Sequence, residues 1–232
     1  MKKLYTLILT LILSISLTAC SNPKNEIVLD FFKSLNSTLV SDSGLFEGDI
    51  TIDSDTDSHF LFKIYINQNE SLQLASQIDL EANGNIQENF LNFYIRNGKT
   101  YLNSMGTRSQ SLASNIGLGP KDKINIYNPF LDYEDDEIVS FFQSANKKDD
   151  TYTLELDKQK LGILLDAMGS VSIKEAKIVA KEKNHSIVSF DLHVKLKQKI
   201  KEEFKTDFTI HIDGKNLNTL KEVPFPNDLD TY

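Results

Sequence analysis

The chain has a single cysteine, Cys20, and that scarcity limits what can hold the rest together. Without a second thiol there is no intramolecular disulfide and no thiolate cage, so the fold must rest on a packed core. Basic charge is also short, with 25 Lys and Arg against 33 Asp and Glu and a formal net charge of −8. That balance disfavours nucleic acid and polybasic docking on anionic lipid. Catalytic signatures are missing too. No Gly-x-Ser-x-Gly pentapeptide offers a nucleophile elbow, and Gly117-x-Gly119-Pro120-Lys121 has a proline where a phosphate cradle needs an amide. The expectation is a noncatalytic protein with no cofactor and no metal.

The one long apolar run lies at the N-terminus. Lys2 and Lys3 precede a mostly apolar stretch from Leu4 to Leu17, which ends in Leu17-Thr18-Ala19-Cys20. The run is shorter than the roughly 20 residues of a spanning helix, and small residues follow it, as in a cleavable signal peptide. Leu17 stands three residues before the cut, where an ordinary secretory site wants a small residue, so the pattern resembles a bacterial lipoprotein signal. That resemblance implies removal of residues 1–19 and attachment of a diacylglycerol to the Cys20 sulfur, often with a further acyl chain such as palmitate on its amine. Two or more chains bury enough methylenes, at about 0.8 kcal/mol each, for durable anchoring. The mature chain then has 213 residues, with 23 basic against 33 acidic side chains and a net charge of −10. Residues 20–24 form the acylated cysteine and a tether of about 14 Å, which holds residues 25–232, read as one domain, close to the bilayer.

From Asn25 to Val40, Ile27, Val28, Phe31, Phe32, Leu35 and Leu39 recur at helical spacing. Alternating runs follow around Phe46–Asp53, Phe60–Ile66 and Leu72–Leu80, each a strand with one apolar face. Two Asn-Gly pairs fix a register, because Asn-Gly favours a two-residue hairpin turn. Asn83-Gly84 pairs Ala82 with Asn85 and sets Ser76 opposite Leu91 and Leu74 opposite Phe93; Asn97-Gly98 sets Phe93 opposite Leu102 and Tyr94 opposite Tyr101. Both turns put Leu91, Phe93 and Ile95 on the face of Leu72 and Leu74, which supports an antiparallel meander from Leu45 to Ser104.

Residues 105–134 lose periodicity and read as an irregular excursion, a candidate lid, with one helical turn near Ser109 to Asn115. A helix is expected from Asp136 to Asn146, a strand over Tyr152–Leu156, and a second helix capped by Asp157 and stopped by Gly169. Strands return over Val171–Lys181, Ser186–Lys197 and Phe204–Asp213.

An acylated cysteine, an immediate helix, a long meander, inserted helices and closing strands together resemble the LolA/LppX superfamily of envelope lipoproteins and lipoprotein carriers. The resemblance implies an α+β fold, a curved antiparallel half-barrel whose concave face is covered by the N-terminal and inserted helices. It further implies that Phe60, Phe62, Ile64, Leu72, Leu74, Ile78, Leu91, Phe93 and Leu102 line an interior that holds acyl chains. The function expected is a lipoprotein on the outer face of a single cytoplasmic membrane that binds or transfers a lipid, lipoglycan or other amphiphile. A filled core uses the same residues, and the fold would then serve as a membrane-tethered partner of an envelope protein complex, with Tyr94 and Tyr101 as an outer contact patch.

Two smaller clusters complete the reading. Asp191-x-His193 and His211-x-Asp213 would bring two histidines face to face if their strands paired about residue 202, and a register shift of two abolishes that arrangement. The acidic run Glu134–Glu137 reads as charge compensation at a helix N-terminus.

Overall fold

A computed structural model describes residues 23–54, 57–119, 121–126, 128, 132–165, 171–199 and 203–232. The signal sequence, Cys20 and the expected stop at Gly169 lie outside the described residues.

Helix α1 (Pro23–Leu39) opens the fold, with proline in its first turn, where a missing amide hydrogen costs nothing. Eleven strands follow: β1 (Ser43–Asp53), β2 (Ser58–Asn67), β3 (Gln73–Ala82), β4 (Asn85–Arg96), β5 (Lys99–Ser104), β6 (Thr107–Leu112), β7 (Phe142–Lys148), β8 (Thr151–Leu156), β9 (Val171–Lys183), β10 (Ser186–Lys199) and β11 (Glu203–Lys215). Between them lie α2 (Asp135–Ser140) and α3 (Lys158–Leu165). All eleven strands form one antiparallel sheet in the order β6-β5-β4-β3-β2-β1-β11-β10-β9-β8-β7. The ends of the chain's two strand runs thus meet at β1 and β11, and among the described residues β6 and β7 are left as the edges of the sheet. The architecture is a curved, open half-barrel of α+β class, as the sequence led one to expect.

Gly48 marks the seam. A Cβ placed there would fall 1.9 Å from the carbonyl oxygen of His211 in β11, so only glycine lets β1 approach its partner at this point.

The helices gather on one half of one face. α1 lies across β7, β8 and β10, α2 touches α1 and β7, and α3 packs on β9. Val28, Phe31 and Phe32 of α1 enter a buried cluster with Phe142, Tyr152, Leu154, Ile178, Ala180 and Val194. Lys24 secures the start of α1 by donating to the carbonyl oxygen of Phe142 at 2.9 Å.

Three expectations need correction. The helix expected over Asp136–Asn146 stops at Ser140, and Phe142 begins β7: Ala145 packs from an edge strand, where a short apolar run reads like a helix. Thr107–Leu112 is a strand, not an irregular segment, and the helical turn is confined to Ala113–Ile116. Met105-Gly106 supplies the hairpin turn, with both residues at positive φ. The β3–β4 register holds at Ala82↔Asn85 but slips by two beyond a bulge, so that Ser76 faces Phe93 and Leu74 faces Ile95. Asn89, at φ 54°, makes the bulge, its amide donating to Asp79 at 2.6 Å. A slip of two keeps every side chain on its own face, so the apolar stripe survives. The β4–β5 pairs Phe93↔Leu102 and Tyr94↔Tyr101 are as expected.

Candidate functional site

The register gathers the expected lining residues into rows. Phe62 faces Ile78, Ile78 faces Leu91; Ile64 faces Ser76, Ser76 faces Phe93, and Phe93 faces Leu102. Phe60 lies opposite Leu80, and Ile66 opposite Leu74. The rows continue through β1 and β11, where Phe60 faces Ile50 and Ile50 faces Ile210. All of these share the face on which α1 lies, yet among the described residues α1, α2 and α3 make their main contacts with β7–β10.

Within this stripe the residues differ in what covers them. Phe60, Phe62, Ile64, Ile78, Leu91 and Leu102 are half-buried and belong to none of the three buried clusters found among the described residues. Leu72 is different: it precedes β3, is fully buried, and packs with Ile95 and Ala113 beneath the excursion, with Leu74 and Phe93 leaning on the same cluster from its margin. Leu72 is thus core, and the open part of the stripe is the other six residues with Leu80 and Phe90. Phe90 escaped the sequence reading. The bulge at Asn89 brings its ring edge-on to Phe60, with centroids 6.4 Å apart.

The opposite face is covered at β2–β5 by the C-terminal segment. Asn218 donates to the Ser43 carbonyl at 2.7 Å, and the Asn67 amide holds the carbonyls of Leu220 and Lys221, both at 3.0 Å. Val223, Phe225, Leu229 and Tyr232 then pack over Tyr65, Ala75, Tyr94 and Tyr101. Tyr94 is 1% and Tyr101 3% exposed, so the outer patch expected at these tyrosines is not a free surface. Their cover is this chain's own tail, clamped by Arg108, which pairs with Asp228 at 2.8 Å and lies over the Tyr232 ring.

Further along this outer face, β10 and β11 pair two residues away from the arrangement that would join the histidines. Asp191 faces His211, and His193 faces Thr209. His211 instead bonds Asp191 at 2.7 Å, which raises its pKa against the opposing effect of burial. No group of three or more metal-ligating side chains forms among the described residues. Glu134 and Glu137 close a capping box at the start of α2, the role expected of the acidic run. Gly117, at φ 75°, ends the helical turn at Ala113–Ile116, so the Gly117–Gly119 loop is a cap.

One polar cluster gave no signal in the sequence. Lys147 of β7 donates at 2.7 Å to Asp30 of α1, to Glu182 of β9 and to the hydroxyl of Tyr152 in β8. The hydroxyl lies 2.6 Å from Asp30 and 2.7 Å from Glu182. Burial and the hydrogen bond to Asp30 push Tyr152 up to about 12. Burial also raises Asp30, but hydrogen bonds from Lys147 and Tyr152 prevail and hold it below its ordinary value; the same bonds lower Glu182. Burial lowers Lys147, and its bonds to Asp30, Glu182 and Tyr152 more than reverse that. The cluster ties α1 to three strands at once.

Among solved structures the chain is similar to LprF from Mycobacterium bovis, at 13% identity and a TM-score of 0.37, covering 89% of this chain and 98% of that one. It is also similar to a LolA superfamily protein from Nitrosomonas europaea, at 11% identity and a TM-score of 0.28, over 85% and 94% of the two chains. No protein-family model and no curated protein matches the sequence.

Proposed function

We propose that the chain is a membrane-anchored lipoprotein of the cell envelope that binds, shields or transfers an amphiphile, with acyl chains lying on the helix face of β1–β5 and β11. The observation that supports this reading is the division of one apolar face. Helices seal it over β7–β10, while the rows from Phe60 to Leu102 are left half-buried. Contiguous apolar rows left half-buried on one face are the kind of surface on which a ligand or partner can lie. An acyl chain laid there gains about 0.8 kcal/mol for each methylene removed from water. No catalytic group is needed for such a role, and Cys20, through its lipid, would hold the domain at the outer surface of the cytoplasmic membrane. Among the described residues no helix is long and apolar enough to cross a membrane. In the reading proposed here, the anchor is covalent lipid.

The test is displacement of a fluorescent fatty acid from the mature protein. Saturable binding that falls at least tenfold in Phe62→Asp, with the unfolding midpoint little changed, is the expected result. Binding that is absent, or indifferent to Phe62, overturns the proposal.

A further inference from the structure

The sheet has two free edges, and they are built differently. β7 is interrupted by a bulge between Phe142 and Ser144, ends in Lys147 and Lys148, and is flanked by α1 and α2. Bulges and lysines are the devices by which edge strands avoid pairing with other chains. β6 has neither. Its register with β5 is unbroken, all six of its residues are exposed, and its only charge, Arg108, is turned onto Tyr232 and Asp228. Its last residue, Leu112, is an exposed apolar side chain, and exposed Met105 and Ile116 flank the strand.

The Met105-Gly106 turn fixes which backbone groups of β6 are free. In a two-residue hairpin the flanking pair, Ser104 and Thr107, exchanges both hydrogen bonds, and the pattern then alternates. Thr107, Ser109 and Ser111 therefore bond inward to β5. The amide of Ala113 continues this parity, donating to Gly98 at 2.9 Å. Arg108, Gln110 and Leu112 direct their N–H and C=O groups outward, and no strand pairs along that side among the described residues.

The geometry points to a second copy of this chain as the occupant of this edge, paired antiparallel through β6 about a two-fold axis at Gln110. In that register Gln110 meets its own copy and Arg108 meets Leu112, so each outward N–H and C=O finds a partner. A slip of two in the sum of partner numbers leaves Leu112 or, in the other direction, Arg108 without a strand partner. Side chains agree with the backbone. Gln110 can bond across to Gln110, the apolar stem of Arg108 covers Leu112, and the opposite face brings Ser109 against Ser111. Like charges do not meet, and the two-fold keeps the two apolar faces on one side of a continuous sheet. A contact of this size gives a weak pair, which attachment of both copies to one membrane would concentrate.

The test uses the full chain in detergent micelles, by sedimentation from about 1 to about 100 μM. Reversible dimerisation is expected, with Gln110→Pro raising the dissociation constant at least tenfold, because it removes an outward N–H while leaving the inward bonds to β5 untouched. Gln110→Cys should form a disulfide-linked dimer under mild oxidation, and Ser144→Cys on β7 should not. The wild-type chain, which retains Cys20, is the control for both. A wild-type chain that stays monomeric throughout overturns the proposal without recourse to any variant. Dimers that ignore Gln110→Pro, or that cross-link equally through Ser144, overturn it as well.

Discussion

Gly48 of β1 lies opposite Ile212, and the backbone of the neighbouring His211 comes so close that a methyl group on Gly48 would lie 1.9 Å from the His211 carbonyl oxygen. The atom in the way is backbone and cannot swing aside. Gly48→Ala is therefore expected to lower stability by about 3 kcal/mol, the upper part of the range for overpacking. Gly162→Ala makes the contrast, since its Cβ would meet nothing closer than Ile173 at 4.0 Å and the position is helical. It should raise stability by up to about 1 kcal/mol. Urea unfolding of both variants checks the pair.

The cluster of Lys147, Asp30, Glu182 and Tyr152 predicts the shape of the acid limb. Both carboxyls lie below their ordinary values in the folded state, so the unfolded chain takes up protons first as pH falls. Their contribution is present above about pH 4.5 and is lost as pH drops through the depressed folded values. Tyr152 works on the other side: with its pKa up at about 12, its contribution is present below about pH 10 and fades as pH rises through 12. Lys147→Met should cost about 2 kcal/mol at neutral pH, since it leaves two facing carboxylates without their cation, and should flatten the acid limb. Equilibrium unfolding from pH 2 to 8 tests this. An unchanged acid limb would contradict it.

His211 predicts a second titration. Its hydrogen bond to Asp191 raises its pKa, so its contribution to stability is complete below about pH 6.5 and is lost as pH rises through the folded value. NMR titration should place its midpoint above that of a free histidine, and Asp191→Asn should bring it down.

The C-terminal cover predicts an optical change. Leu229 is buried with Tyr94 and Tyr101, and Leu229→Ala should cost about 2–4 kcal/mol if the cover unfolds with the domain. Leu229→Asp should release the segment alone. With eight tyrosines and no tryptophan, the chain would report that release directly as a change in tyrosine emission.

The sequence carried more of the fold than of the site. Alternation from Phe46 to Leu102 and the two Asn-Gly turns were enough for the meander and for the rows of its apolar face, because turn chemistry and face are both local properties. The slip at Asn89 needed the identity of a bulge, and nothing in Glu88-Asn89-Phe90 distinguishes a bulge from a regular strand. Phe90 was missed for that reason. Leu72 was grouped with the lining residues because a core residue and a lining residue have the same side chain; only the excursion folded over Ala113 separates them. Tyr94 and Tyr101 carried the most misleading signal. Polar-face parity placed them outside, and a segment more than one hundred residues later covers them. Asp30, Lys147, Tyr152 and Glu182 are ordinary surface residue types until the strand order joins them.

The covalent anchor is a prediction of its own. Labelling with radioactive palmitate should mark the wild-type chain and not Cys20→Ser, which should accumulate at the size of the uncleaved precursor. Label retained after Cys20→Ser would remove the membrane from the account.

The central claim is that the uncovered rows of the helix face hold an amphiphile. Native mass spectrometry with lipid extraction, on residues 21–232 purified without detergent from a host with a cell envelope, tests it most directly. The account predicts a stoichiometric amphiphile that disappears in a still-folded Phe62→Asp variant, for which Phe62 suits better than Phe93 because it leans on no buried cluster. A clean apo mass that does not change after incubation with envelope lipids would contradict it.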